Sequence, residues 1–282
     1  MQFYVGVSTP VLVGFFGEAI NIWDNVISTK WVDPATGELL DQRTLTIGDF
    51  SPTTFTVNYD GNGNTGGHAP VDSASYAKGQ KVTVLANGNP LGILTLTGFD
   101  LAGWTMSTGV AGPSYAANGL ATFVMGSSNV ILHAVWVPDS LSTASLGSVI
   151  SITGYSSAPT DTLIVPTGVT SIGANAFANC IGMTGLTLPQ TLSYIGLGAF
   201  SGCTLLVNVT IPSSVGIIDQ DAFSGCSGLT TVTMSATTPP SLGPQAFDNT
   251  APGFHILVPS SSFTAYQEAA GWSDYAEAIV SQ

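Results

Sequence analysis

The chain has 282 residues, a formal net charge of −13 at pH 7 and a hydrophobic content of 44%, whereas charged residues make up only 7% of it. This apolar content is ample for buried cores and excludes a disordered chain. The four cationic side chains all lie at or before Lys81. Because no basic patch is available to neutralise phosphates, we exclude nucleic acid as a partner.

Residues 1–52 form an opening region whose alternating apolar residues predict strands rather than helices. No Lys or Arg precedes Lys30 to give the basic start of a secretory signal, and Pro10 interrupts the apolar run. We expect no transmembrane span, because no other apolar stretch is long enough. A region of this size is marginal for independent folding. We therefore predict that it docks on the next domain, on further copies of the chain as a homo-oligomer, or on a larger assembly.

Residues 53–138 predict a β-rich module that contains four short motifs. The motifs are residues 57–63, 98–104, 123–125 and 132–136. In this order and at these separations they resemble the internalin-type B-repeat, or Listeria-Bacteroides repeat. The resemblance implies a β-grasp-like spacer of the kind found on extracellular bacterial proteins.

Residues 139–262 carry a motif of Ala-Phe, two further residues and Cys that returns every 23 residues, at Ala176, Ala199 and Ala222. Columns of Pro, Ile and Leu keep the same spacing. One unit of this length cannot bury its apolar face alone, so the copies are expected to stack as a solenoid, with a degenerate last copy at Ala246. The pattern resembles the BspA-like leucine-rich repeat, which implies one short strand per unit in a parallel ladder.

Residues 263–282 have aromatic and apolar side chains near helical spacing, and they predict a helical cap over the end of the stack. The expected fold class is therefore mainly β. It consists of a β-grasp-like B-repeat module, a short leucine-rich-repeat solenoid and a C-terminal helical cap.

The sequence offers no catalytic, cofactor-binding or metal site. His68, His133 and His255 lie in three unrelated contexts, and the single Cys of each repeat indicates a small buried side chain rather than a zinc ligand or a disulfide framework. The oxygen-rich segment 60–66 lacks the Gly and Glu that a calcium loop requires at its sixth and twelfth positions. That segment is predicted to form a hairpin turn.

We therefore expect a non-enzymatic, extracellular protein that binds a partner or has a structural role. Its candidate contact residues are aromatic side chains outside the repeat columns and threonines at exposed repeat positions. They are Trp31, Tyr115, Tyr155, Thr187, Thr210 and Thr233. The threonines would offer a hydrogen-bonding face to a protein or a glycan.

Two locations remain open for such a protein. The lack of a recognisable signal or anchor favours a phage virion, with the chain as a decoration, fibre or tail-associated protein fastened through residues 1–52. The alternative is a secreted adhesin on a bacterial cell surface. A third hypothesis, an enzyme with appended repeats, would need a catalytic grouping that the sequence does not contain.

Overall fold

The computed structural model describes residues 53–88, 92–106 and 112–282 in full and, before residue 53, only the backbone of four strands. These are β1 (Val13–Phe15), β2 (Glu18–Trp23), β3 (Val26–Val32) and β4 (Leu39–Thr46). They pair antiparallel in the order β1-β2-β3-β4, which confirms the strands expected there. The chain divides into two compact units, Met1–Thr53 and Thr54–Gln282.

The second unit begins with eight short strands. They are β5 (Thr54–Phe55), β6 (Val57–Asp60), β7 (Tyr76–Ala77), β8 (Lys81–Thr83), β9 (Phe99–Thr105), β10 (Ser114–Ala116), β11 (Thr122–Val124) and β12 (Val130–Pro138). Strand β12 pairs parallel with β6 and antiparallel with β9, giving the sheet order β10-β9-β12-β6. The described residues of 53–138 contain no helix, so a β-grasp arrangement, which packs a helix on its sheet, is not confirmed.

A hairpin of β13 (Leu141–Leu146) and β14 (Val149–Tyr155) leads into the repeats. The repeat strands are β15 (Thr162–Ile164), β16 (Ser171–Ile172), β17 (Gly185–Thr187), β18 (Tyr194–Ile195), β19 (Asn208–Ile211), β20 (Ile217–Ile218), β21 (Thr231–Met234), β22 (Ser241–Leu242) and β23 (His255–Val258). The chain then forms a 3-10 turn at Ser260–Ser262, helix α1 (Phe263–Glu268), a 3-10 segment at Ser273–Ala278 and strand β24 (Ile279–Ser281).

The repeats build two six-stranded sheets. Sheet A has the order β13-β14-β16-β18-β20-β22, and sheet B has the order β15-β17-β19-β21-β23-β24. All neighbours are parallel except β13 and β14. Each repeat unit thus adds two strands, one to each sheet, and the single strand per unit that the resemblance implies is wrong. The units stack in register as a solenoid.

The core between the sheets consists of columns in which like residues stack. Phe177, Phe200, Phe223 and Phe247 lie with successive ring centroids 5.4, 5.2 and 5.6 Å apart and their planes within 14° of parallel. Tyr155 extends this stack by one rung, 5.9 Å from Phe177. Each ring is held on both sides, so the aromatic column fixes the register of the rungs.

A third side of the solenoid is formed by the Ala-Phe turns. On this side the N–H groups of Asn175, Phe177 and Asn179 donate to carbonyls of the following rung at 2.7–2.8 Å, and the same pattern recurs in the next two rungs. The turns need left-handed backbone at two columns, where φ lies between 55° and 72°. Glycine adopts this conformation without a steric cost and Asn tolerates it, which explains Gly202 and Gly225 in the repeated motif.

Residues 53–138 close the first end of the solenoid. One face of their sheet packs in a separate core around Trp104, while Ala102, Val135 and Val137 from the same sheet belong to the core of the repeats. A Cβ on Gly168 would lie 2.3 Å from a Val135 methyl carbon, so the first rung approaches β12 as closely as the absence of a side chain allows. The structure thus has a packed end cap where the sequence predicts a spacer.

The opposite end is closed by α1, the second 3-10 segment and β24. Trp272 is fully buried and its indole N–H donates to Pro240 O at 2.7 Å. A C-terminal helix is therefore present, as expected, but the segment ends in a strand that pairs with β23. Ile279 follows Ile256 by 23 residues, so it keeps the repeat spacing and forms a sixth rung of sheet B that the sequence analysis missed.

Candidate binding face

The outward face of sheet B brings together side chains that lie 23 or 24 residues apart in the sequence. Alternate residues of each strand point inward, so the residues that follow the buried column point outward. The main outward column is Ile164, Thr187, Thr210, Thr233, Leu257 and Val280. Thr187 and Thr210 are exposed, Thr233 is half-buried, and Ile164 at the edge is 66% exposed.

The hydroxyls of the three central threonines have no hydrogen-bond partner among the residues that the structure describes. Other repeat threonines differ in this respect: Thr191 Oγ1 donates to Val169 O at 2.7 Å, and Thr230 Oγ1 donates to Val207 O at 3.2 Å. The outward column thus presents hydroxyl groups to solvent, whereas the threonines at the corners of the rungs serve the fold.

A shallow groove of about 280 Å³ crosses this face between the second and third strands of sheet B. Its lining consists of Leu186, Thr187, Leu188, Gln190, Thr210 and Pro212. Half-buried Leu188 supplies apolar surface and Pro212 lies buried behind it, while two hydroxyls and one amide supply donors and acceptors. We call the outward column and this groove together the threonine face.

The threonine face carries no carboxylate or ammonium group. A second outward column beside it contains Thr162, Gly185, Asn208, Thr231 and His255, of which only the histidine is titratable. One repeat carboxylate, Asp161, lies just before the first strand of sheet B and accepts from the Thr184 hydroxyl at 3.2 Å. Asp219 accepts from the Tyr194 hydroxyl at 2.8 Å beside sheet A, and Asp248 accepts from Tyr275 at 2.7 Å near the C-terminal cap. The face is therefore electrically neutral in a strongly acidic protein.

Of the predicted contact residues, only the threonines lie together on one surface. Tyr115 is 6% exposed and packs 5.5 Å from Phe123, so it belongs to the core of the 53–138 module instead of to a contact surface. Tyr155 is half-buried and stacks on Phe177. The Trp31 side chain lies outside the described residues. Trp104 and Trp136, which lie in the motifs of the 53–138 module, are buried in its core.

Sequence reasoning missed the apolar residues that flank the threonines, namely Ile164, Leu257 and Val280, and the polar groove residue Gln190. A signal was available, since three of these positions continue the column of Thr187, Thr210 and Thr233 at the repeat spacing. The groove itself depends on the side-chain packing of Leu188 and Pro212, and no spacing in the sequence predicts it.

A hydrogen bond between His133 and Asp60 holds a turn together. Its Nδ1 lies 2.9 Å from Asp60 Oδ2, and Asp60 also accepts from the backbone N–H of Asn62 at 3.0 Å. The Asn62 N–H and the His133 ring together lower the pKa of the Asp60 carboxyl. The Trp136 indole N–H donates to Gly61 O at 2.9 Å. Segment 60–66 is thus a turn clamped onto β12, although it does not join two paired strands as a hairpin turn would.

The repeat cysteines are buried thiols without disulfide bonds. Cys203 Sγ donates to Phe177 O at 3.2 Å and Cys226 Sγ to Phe200 O at 3.1 Å, so each thiol bonds back to the preceding rung. The neighbouring Cys226 thiol and burial raise the pKa of Cys203, which keeps that thiol neutral. The expectation of small buried side chains is confirmed.

Within the described ranges, no group of three or more His, Cys, Asp or Glu side chains is arranged to hold a metal ion. None of the helices there has the length and apolarity that crossing a membrane requires.

Comparison with known proteins identifies the repeats. Residues 149–270, which begin with β14, match the family described as BspA type leucine-rich repeat region, in six copies. No curated protein matches the chain. A similar solved structure is a leucine-rich repeat protein from Bacteroides ovatus, which is 24% identical, with 46% of this chain and 39% of that chain covered and a TM-score of 0.36. The B-repeat resemblance of residues 53–138 stays a prediction.

Proposed function

We propose that the protein is a non-enzymatic binding protein and that the threonine face of sheet B contacts its partner. The observation that carries this proposal is the column of Thr187, Thr210 and Thr233, whose hydroxyls point outward and have no partner in the described part of the chain. Exposed hydroxyls that a fold does not use are available to a ligand at little desolvation cost, because each exchanges a water for a ligand group.

The absence of catalysis is part of the proposal. It is supported by the roles of the reactive side chains in the described unit. The thiols are buried and donate hydrogen bonds to backbone carbonyls, and His133 is paired with Asp60. His255 lies on a different element, strand β23. A general acid or base needs a partner within hydrogen-bond reach of the reacting group. The threonine face offers hydroxyls and one amide instead.

We further propose display outside the cell. Repeats of the BspA type are typically exposed on surfaces or extracellular. The location on a phage virion, with residues 1–52 as the attachment, is a finer hypothesis that rests on the composition of those residues. Light scattering of the full chain and of a chain lacking residues 1–52 tests it: the virion hypothesis requires defined oligomers that disappear with the deletion, whereas two monomers would contradict it.

The binding proposal is tested with two matched double variants of the full chain. Thr187→Glu with Thr210→Glu puts two carboxylates on neighbouring rungs of the threonine face, and Ile217→Glu with Ser241→Glu puts the same charges on neighbouring rungs of sheet A. Thermal unfolding checks that both variants are folded. Labelled proteins are applied to intact cells and to isolated cell-surface material, and bound fluorescence is measured. We expect the first variant to lose at least tenfold in binding and the second to keep it. Equal binding by both variants would overturn the proposal.

A further inference from the structure

We propose that the occupant of the threonine face is an uncharged polysaccharide chain that lies across the rungs of sheet B. This inference rests on the proposed function and adds the chemistry of the ligand. In the groove, sugar hydroxyls would exchange hydrogen bonds with Thr187, Thr210 and Gln190, while the apolar face of a sugar ring would contact Leu188.

The charge distribution selects a neutral ligand. The chain has a net charge of −13, and its repeats contain no Lys or Arg, so a polyanionic glycan is repelled and finds no Lys or Arg on the strands of sheet B. A cationic ligand finds no carboxylate in the two outward columns, where His255 is the one titratable group. The carboxylate next to them, Asp161, lies before the edge strand β15 and is bonded to the Thr184 hydroxyl, away from the groove. Complementarity with a face that has hydroxyl, amide and aliphatic groups requires a partner with the same groups and no charge.

An extended peptide fits this face poorly. The backbone donors and acceptors of the inner strands of sheet B are used in the rung-to-rung ladder. A peptide lying on the face would have to desolvate its own backbone groups without backbone partners, whereas peptide strands bind at sheet edges. A sugar chain carries rotatable hydroxyls, each of which is donor and acceptor, so it can adapt to the threonine hydroxyls.

A folded protein partner also fits poorly. Protein interfaces concentrate their energy in Trp, Tyr and Arg side chains that enter pockets. The outward columns of sheet B contain none of these residue types, and the groove volume of about 280 Å³ lies below the usual range for larger ligands. A groove of this size suits one or two ring-sized groups.

The repeat geometry suits a polymer. Neighbouring strands of a sheet lie about 4.8 Å apart, so the column presents Thr187, Thr210 and Thr233 as one hydroxyl per rung along the solenoid axis. Without an aromatic ring for stacking, each sugar is held weakly, and a short oligosaccharide should bind with a Kd of about 1 mM. A long chain engages several rungs or several protein copies and binds more tightly through its multiple contacts.

The test is affinity electrophoresis of the full-length protein in native gels. The gels contain dextran, galactomannan or mixed-linkage β-glucan as neutral polysaccharides, or alginate or hyaluronan as polyanions. The variants are Thr187→Val with Thr210→Val, which removes two hydroxyls and keeps the side-chain shape, and Thr153→Val, which removes one exposed hydroxyl from sheet A. Thermal unfolding checks that all three proteins are folded.

We expect retardation by at least one neutral polysaccharide and by neither polyanion. Each lost hydroxyl should weaken binding about threefold, so the double variant should lose about tenfold in apparent affinity, whereas Thr153→Val should be unchanged. No retardation by any neutral polysaccharide overturns the inference, as does retardation that the double variant leaves intact. In either case, loss of cell binding by the glutamate variant would keep the proposed function and point to a protein partner.

Discussion

Tyr275 should be a capping residue for the hydrogen-bond ladder on the third side of the solenoid. In each rung the N–H of the repeat Phe donates to the next rung, but Phe247 belongs to the last rung on this side and has no backbone acceptor there. The Tyr275 hydroxyl accepts from Phe247 N at 3.2 Å and donates to Asp248 Oδ1 at 2.7 Å. The prediction is that Tyr275→Phe loosens this end of the stack.

The expected loss follows from the two bonds. Phe247 is 2% exposed, so its N–H would be left buried and unpaired, at a cost of about 1–3 kcal/mol. The Asp248 carboxylate is less buried and can regain water, so its contribution is small. A net loss of about 2 kcal/mol should lower the melting temperature by about 4–8 °C for a unit of this size.

The assay is thermal unfolding followed by circular dichroism, together with amide hydrogen exchange of the last rungs. Tyr155→Phe is the matched control, because Tyr155 ends the same aromatic stack and its hydroxyl makes no hydrogen bond to a described residue. The free energy of unfolding of the control should differ from that of the unchanged protein by no more than about 0.5 kcal/mol. If both variants melt at the same temperature and the Phe247 amide keeps its protection, Tyr275 does not cap the ladder.

Four further perturbations test the fold. Phe200→Ala removes a fully buried ring from the middle of the stack and should lower the free energy of unfolding by about 3–5 kcal/mol in a denaturant titration. Gly225→Ala meets no atom closer than 3.6 Å, but its φ is 72°, so we expect a loss of about 1 kcal/mol from backbone strain alone. A chain that begins at residue 139 exposes the apolar side of the first rung, and it should aggregate in size-exclusion chromatography where residues 54–282 stay monomeric. Burial raises the pKa of Tyr59 and Tyr266 from 10.0 to about 12. Because the pKa is higher in the folded state than in the unfolded chain, deprotonation of these tyrosines favours unfolding. The free energy of unfolding should therefore be unaffected below pH 10 and fall as pH rises from 10 to 12, which melting curves across that range would detect.

The repeat region could be predicted from sequence because one physical constraint acts on many positions at once. Stacking in register places residues 23 apart against each other, so each core column appears as a repeated residue type. The same repetition predicted Thr187, Thr210 and Thr233 as outward side chains. Each of these threonines follows a buried residue in a strand, and strand alternation decides its direction.

The ends of the stack could not be predicted in the same way, since their contacts occur once. Tyr115 is buried because β10 pairs with β9 and brings it opposite Trp104, a long-range pairing that no local pattern encodes. The packing of Val135 against Gly168 is likewise a single contact between distant segments. β24 was missed because the aromatic spacing of the preceding segment favoured helix up to the end, although Ile279 kept the repeat spacing.

The low content of charged residues also follows from the stacking. In a parallel ladder, a charged column would place like charges about 4.8 Å apart, rung after rung, and directly opposed like charges destabilise a sheet. The repeat acids obey this restriction. Asp219 follows Gly196 in its column and precedes Gly243, and Asp221 stands between Gly198 and Gln245. Stacking of the rungs therefore favours uncharged columns, and an outward face that consists of such columns carries no net charge. A ligand that needs no charge for recognition is the one such a solenoid can bind along its whole length.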